Sequence, residues 1–170
     1  MKNQNKLKLL SLALGSDDAG NSQTMLDEIL SDRKSLYGKE VPFPLKIYVA
    51  GPYTPYGASS HDAARMAHEN TISAINVGVG VVEKGHFPYI PHLSHFMHLY
   101  GRKSLSYKYY TEADTAWLLG CDAILYYHHR IGVSKGADKE LKIAIDTKKR
   151  IFFSLEELPL CRAWAEKYNS

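Results

Sequence analysis

The sequence predicts an α/β domain built on a doubly wound parallel sheet with helices on its flanks. Three observations predict it. Short β-rich apolar runs recur at Lys46–Tyr53, His86–Leu93, Cys121–His129 and Arg150–Leu155. Stretches of helical periodicity separate them, the longest running from Ser59 or Ser60 to Lys84. Gly-Pro, Pro and small-residue turns stop the strands, so successive strands are joined by helical crossovers rather than tight hairpins. That alternation implies four to five parallel strands in a flavodoxin- or Rossmann-like arrangement, with right-handed crossovers.

Composition sets the outer bounds. A chain of 170 residues suits one domain with a three-layer core and an appendage. With 45% hydrophobic and 23% charged residues it is neither disordered nor fibrous. A formal charge of +3 and a pI near 8.7 favour an anionic ligand but fall short of a composition that binds a nucleic acid polymer. Cys121 and Cys161 form neither a metal-type pair nor a disulfide framework, which fits a reducing cytoplasm. The segment Lys6–Ser16 imitates a signal peptide, but its apolar run is brief and no small-residue cleavage site follows, so the expected location is cytoplasmic. No run is long enough for a membrane-spanning helix, and no membrane partner is expected.

Residues 1–44 read as an N-terminal helical hairpin and linker, with leucines from Leu7 to Leu14 on one helix and Met25, Leu26, Ile29 and Leu30 on the next. Pro42 and Pro44 favour extended chain in the linker. Residues 45–170 form the α/β domain. Its long first helix is expected to bury Ala64, Ala67, Ile72, Ile75, Val79 and Val82, and to end at Gly85. Helices are further expected over Thr111–Leu119, Ser134–Lys148 and Glu156–Tyr168, with Trp117 and Leu118 in the core. Ligands of such sheets bind beyond the carboxyl ends of the strands. That rule gathers Gly51, Pro52, Tyr53, Pro91, His92 and the turn before Gly136 along one rim.

Several familiar motifs are excluded. The glycines from Gly78 to Gly85 lie inside a helix at the wrong spacing for a dinucleotide fingerprint, and Gly101–Ser104 lacks the first glycine and strand of a phosphate-binding P-loop. His86, His92, His95 and His98 are spaced so that they drift around a helix without a companion carboxylate pattern; they point to pocket lining or surface rather than a metal. No metal or other cofactor is expected.

Three pieces carry chemistry. Ser134, Lys135 and Gly136 open a helix after a strand, where free backbone N–H groups and a hydroxyl attract a phosphate or sugar oxygen, and Glu140 follows on the same helix. Asp114 stands eight residues before Asp122, which opens a strand. Tyr48 stands three residues before Gly51 at the end of the first strand. Taken alone, each residue has a plainer alternative: Glu140 as a solvated helix residue, Asp114 and Ser134 as helix caps, Tyr48 as core, Asp122 as a structural residue.

Together, over residues 46 to about 153, these motifs resemble the nucleoside 2-deoxyribosyltransferase superfamily, including the 2'-deoxynucleoside 5'-phosphate N-hydrolases. The resemblance implies cleavage of an N-glycosidic bond, by hydrolysis or by deoxyribosyl transfer to another base. Glu140 matches the nucleophile that forms a glycosyl-enzyme, Asp114 the residue that manages the proton at the base, and Tyr48 the residue that orients the nucleophile. Ser134, where transferases of free nucleosides tend to carry Asp, implies a nucleoside 5'-monophosphate as substrate, with Lys135, Arg130, His128 and His129 close by in sequence. The chain departs from the pattern at Asp138, Lys139 and Lys142. Its segment from Pro91 to Tyr110 has no clear counterpart; it is expected to select the base, with Phe96, Tyr100, Tyr107, Tyr109 and Tyr110 available for stacking. A homo-oligomer and a small-molecule nucleotide or nucleoside are the partners the resemblance implies. Two alternatives remain open: a glycohydrolase of ribonucleotides or NAD, and a nucleotide-binding sensor without turnover.

Overall fold

A computed structural model describes residues 39–53, 60–103, 105–127 and 134–168. The sequence-predicted N-terminal hairpin falls outside the described residues as far as residue 38. The described chain runs β1 (Lys46–Ala50), α1 (Ser60–Glu83), β2 (Phe87–Tyr89), a 3-10 turn (Pro91–Leu93), α2 (Ser94–Tyr100), α3 (Tyr107–Gly120), β3 (Ala123–Tyr126), α4 (Lys135–Asp146), β4 (Arg150–Phe152), a second 3-10 turn (Leu155–Glu157) and α5 (Arg162–Tyr168). The four strands form one parallel sheet in the order β2-β1-β3-β4. The expected α/β architecture is therefore present, with four strands.

Strand alternation divides the core in two, because successive side chains of a strand face opposite ways. Tyr48, Ala50, Ile124, Tyr126 and Ile151 pack against Leu118 of α3 and against Ala137, Leu141, Ala144 and Ile145 of α4. Ile47, Val49, Ala123, Leu125 and Phe152 face the other way, against Val81 of α1 and Leu158. Helices thus cover both faces, which is why the central strands β1 and β3 read as almost unbroken apolar runs. β2 holds Pro88 and occupies one edge of the sheet, where a residue without an N–H is tolerated.

Four expectations require correction. The buried face of α1 is Ala67, Thr71, Ala74, Gly78 and Val81, not the stripe of larger residues; Ile72, Val79 and Val82 are exposed. Close packing explains this, since a Cβ on Gly78 would meet Ile90 Cδ1 at 2.3 Å and one on Gly80 would meet Leu155 Cδ1 at 2.5 Å. Only small side chains let α1 approach this closely. α3 begins four residues earlier than its apolar pattern, at Tyr107, because Ser106 caps it by accepting from Tyr109 N at 3.2 Å. The C-terminal helix is interrupted: Leu158, which precedes Pro159, is extended, and α5 starts only at Arg162. Trp117 is 58% exposed rather than core, while Leu118 beside it is fully buried.

Two clamps close the fold. Lys149 Nζ donates to Leu119 O at 2.9 Å and Cys121 O at 2.7 Å, placing a cation on the carboxyl end of α3. Residues 39–41 run beside Leu160, with Val41 N donating to Leu160 O at 2.9 Å, and Arg162 reaches Glu40 Oε1 at 2.6 Å. His86 joins the same region. Its Nδ1 accepts from Leu45 N at 3.2 Å and its Nε2 lies 2.8 Å from Pro159 O, so the ring is neutral with the proton on Nε2. Asp122 is structural as expected: its carboxylate accepts from Lys46 N at 2.7 Å. Among the described residues no helix is long and apolar enough to cross a membrane.

Gly85 ends α1 with φ of +80°, and a Cβ there would lie 2.3 Å from Cys161 O. Gly85→Ala is therefore expected to destabilise the fold by about 2 kcal/mol or more. Thermal unfolding checks this, and an unchanged midpoint would show that α1 and the segment at Cys161 are not packed as described.

Candidate active site

The carboxyl ends of β1, β2 and β3 open on one cavity of about 390 Å³. Its wall takes Gly51 and Tyr53 from the loop after β1, Pro91 and His92 after β2, Ser134 to Ala137 at the start of α4, and Glu140 one turn on. α3 supplies Tyr107, Tyr110, Thr111 and Asp114, and α2 supplies Ser94 and His98. The volume is in the range of small-molecule sites.

Beneath the cavity, Tyr48 is fully buried and donates its hydroxyl to Glu140 Oε1 at 2.7 Å. Burial pushes the Glu140 carboxyl up to about 8; the Tyr48 hydrogen bond opposes this and the nearby Asp114 adds to it. Asp114 is raised to about 6, again chiefly by burial, against a hydrogen bond of 3.2 Å donated by Tyr89. The hydroxyls of Tyr48 and Tyr89 are pushed upward by burial and by the carboxyls they serve, so both stay protonated donors.

A third tyrosine completes the row. Tyr126 on β3 donates to Asp138 Oδ1 at 2.8 Å. Tyr89, Tyr48 and Tyr126 thus come from three neighbouring strands on the same sheet face, each directed at a carboxyl on a helix above. Asp138, a departure from the family pattern, is engaged below the cavity and does not line it; neither does Lys139.

The sequence-selected residues converge, with refinements. Glu140, Asp114, Gly51, Tyr53, His92, Ser134, Lys135 and Gly136 all line the cavity. Tyr48 lies under it. Pro52 does not line it; its carbonyl accepts from His92 Nε2 at 3.0 Å and so orients that ring. A carbonyl only accepts, and burial pushes His92 below its usual range, so Nδ1 is a bare acceptor with no partner among the described residues. Gly51 is demanded by packing, since a Cβ would meet the Tyr127 ring at 2.2 Å. Gly136 is not: a Cβ there would meet nothing nearer than Ser134 Oγ at 3.9 Å, so its lack of a side chain serves the open wall. Ser134 does cap α4, accepting from Ala137 N at 3.4 Å, and lines the cavity as well. His128, His129 and Arg130 lie outside the described residues.

Of the aromatic residues proposed for stacking, Tyr107 and Tyr110 reach the cavity, whereas Phe96 and Tyr100 stack on each other at 6.3 Å. The histidines divide: His92 and His98 line the cavity and His95 Nδ1 meets Tyr53 OH at 2.7 Å, whereas His86 lies apart, bonded to Leu45 and Pro159. Among the described residues no three His, Cys, Asp or Glu side chains are grouped to hold a metal. Sequence reading missed Ser94, Leu105 and Thr111. The spacing of Tyr107, Tyr110 or Thr111, and Asp114 on one helical face would have found the last, had α3 been extended to its Ser106 cap.

Comparison with protein-family models, curated proteins and solved structures gives no significant match.

The raised Glu140 value has a consequence for stability. Between 4.5, its ordinary value, and about 8 the folded protein holds a proton that the unfolded chain has released. Stability contributed by this group is complete below that window and is lost as pH rises through it. Glu140→Gln keeps the acceptor for Tyr48 and removes the titration. It should raise the unfolding midpoint at pH 8 by an amount equivalent to about 4 kcal/mol, on the order of 10 °C, and leave it unchanged at pH 4. Calorimetry at the two pH values decides, and a gain equal at both would contradict the buried carboxyl.

Proposed function

We propose that the protein cleaves the N-glycosidic bond of a nucleoside or deoxynucleoside 5'-monophosphate, by hydrolysis or by transfer of the glycosyl group to another base. The observation that carries this is the 2.7 Å hydrogen bond from Tyr48 to Glu140 at the floor of a cavity that Asp114 also lines. The second support is the set of motif spacings shared with the nucleoside 2-deoxyribosyltransferase superfamily.

Tyr48 occupies one oxygen of Glu140 and leaves the other to attack the anomeric carbon. The bond to the base breaks as the ester forms, its electron pair passes to the base nitrogen, and Asp114 supplies the proton. Water then attacks the same carbon, gives its proton to the Asp114 carboxylate and frees Glu140. With a second base in place of water the product is an exchanged nucleotide. Ser134 and Lys135, at the amino end of α4, suit the 5'-phosphate, because backbone N–H groups at a helix start and a nearby ammonium favour an anion.

The protonation states add a condition. Values of about 8 for Glu140 and about 6 for Asp114 mean that the free protein mostly holds its proton on Glu140. The reacting arrangement is the reverse one. kcat/KM should therefore follow a bell with limbs near 6 and 8, at a modest plateau.

The test is incubation with a panel of dNMPs, NMPs, nucleosides and NAD, with free base followed by chromatography. Base release from a monophosphate, lowered about 10³-fold or more by Glu140→Ala, is the expected result. Tight binding without release of base from any member of the panel would sink the proposal in favour of a sensor.

We further infer a homo-oligomer, supported by the exposed Ile72, Val79 and Val82 on α1. Sedimentation should give a mass at least twice that of the chain, reduced by Ile72→Lys with Val79→Lys; a monomer at micromolar concentration would refute it.

A further inference from the structure

We propose that Tyr89 is a positioning residue for Asp114, holding its carboxyl toward the cavity by a hydrogen bond from the edge strand of the sheet. This rests on the reading of Asp114 as the proton-managing residue. Tyr89 matches no part of the motif set, stands outside the cavity, and is the last residue of β2.

The geometry ties it to the site in three ways. Its hydroxyl donates to Asp114 Oδ1 at 3.2 Å. Its ring stacks on Trp117 with centroids 5.0 Å apart and planes 18° apart. Its other neighbour is Tyr48, whose ring centroid lies 5.5 Å away and whose backbone is its direct strand partner. Asp114 and Trp117 are one turn apart on α3, so a single side chain grips the helix at two points and fixes its rotation about its axis. This accounts for Trp117 lying outside the core: it is the exposed cover of the Tyr89 ring rather than a core anchor. The two reacting carboxyls are then held alike, Glu140 by Tyr48 and Asp114 by Tyr89, from residues paired across β1 and β2.

A donor on the ionised carboxyl also favours the charged form, which sets how readily Asp114 gives up its proton. The other titratable groups that bear on Asp114 are Glu140 from α4 and Tyr48 from β1; His98 and Tyr110 share the cavity wall.

The experiment is Tyr89→Phe in the full chain, read in two independent ways. NMR of carbonyl-labelled aspartate, assigned with Asp114→Asn, follows the Asp114 titration without substrate. The proposal expects its midpoint about half to one pH unit above wild type, the size of one hydrogen bond to a charged acceptor. The pH profile of base release should show the acid limb moved the same way, with kcat lowered about tenfold or more and KM within about twofold. An Asp114 midpoint that does not move, or one that falls, overturns the proposal. If wild-type protein releases no base from any substrate, the function fails, yet the NMR titration still judges the Tyr89–Asp114 contact. Should Tyr89→Phe not fold, Asp114→Asn tests the contact from the other side: the Tyr89 phenol must then titrate at lower pH than in wild type, and no change refutes the pairing.

Discussion

The hydroxyl of Tyr48 sits on a strand closed to water on both faces, and the acceptor it reaches is Glu140. A phenol left unpaired there would cost about 1–3 kcal/mol, so α4 must stand where Glu140 meets β1. Tyr126 repeats the demand one strand over through Asp138 on the same helix. With α4 pinned at both residues, its amino end, with Ser134, Lys135 and Gly136, is carried to the rim of the cavity. The row of tyrosines therefore converts strand register into the placement of carboxyls. Because each strand is parallel to the next, the same end of every strand delivers its residue to the same side of the molecule.

The hydrogen bond that fixes Glu140 also works against its burial. Desolvation raises the carboxyl, the tyrosine partly restores its acidity, and the neighbouring Asp114 raises it again. A helix residue of this kind is a net burden on folding at neutral pH, and the apolar faces of the sheet must carry it. Buried carboxyls of that kind gather where chemistry is done, since a group poised near neutrality can both hold and release a proton.

Much of the frame was legible in the sequence. The apolar runs stopped by Gly51 and Pro91 located β1 and β2, and continuous burial on both faces made β1 and β3 easy to see. The span of α1 was legible too, but its buried face was not: α1 hides Ala67, Ala74 and Gly78 and displays Ile72 and Val79, so periodicity of large side chains points to the wrong face. Pro159 split a helix whose composition alone ran on. At the site, Glu140, Asp114 and Tyr48 stood out through spacing. Their tyrosine partners on Asp114 and Asp138 did not, because a strand tyrosine looks like core until the helix above it is in place. Pro52 was selected for its position on the rim, yet it acts through its carbonyl, a contact no side-chain pattern encodes.

The pairing of residues 39–41 with Leu160, and of Glu40 with Arg162, has a kinetic meaning. Glu40 and Arg162 are 122 positions apart, so this is the kind of contact whose loop-closure entropy is greatest and which a folding chain makes last. It joins partly exposed side chains and adds little apolar burial, so it is also the kind that opens first. The sheet and the cavity at its rim can assemble before that clasp shuts. Residues 39–41 are therefore the latest and loosest joint of the described domain, and opening it leaves the sheet and the cavity standing.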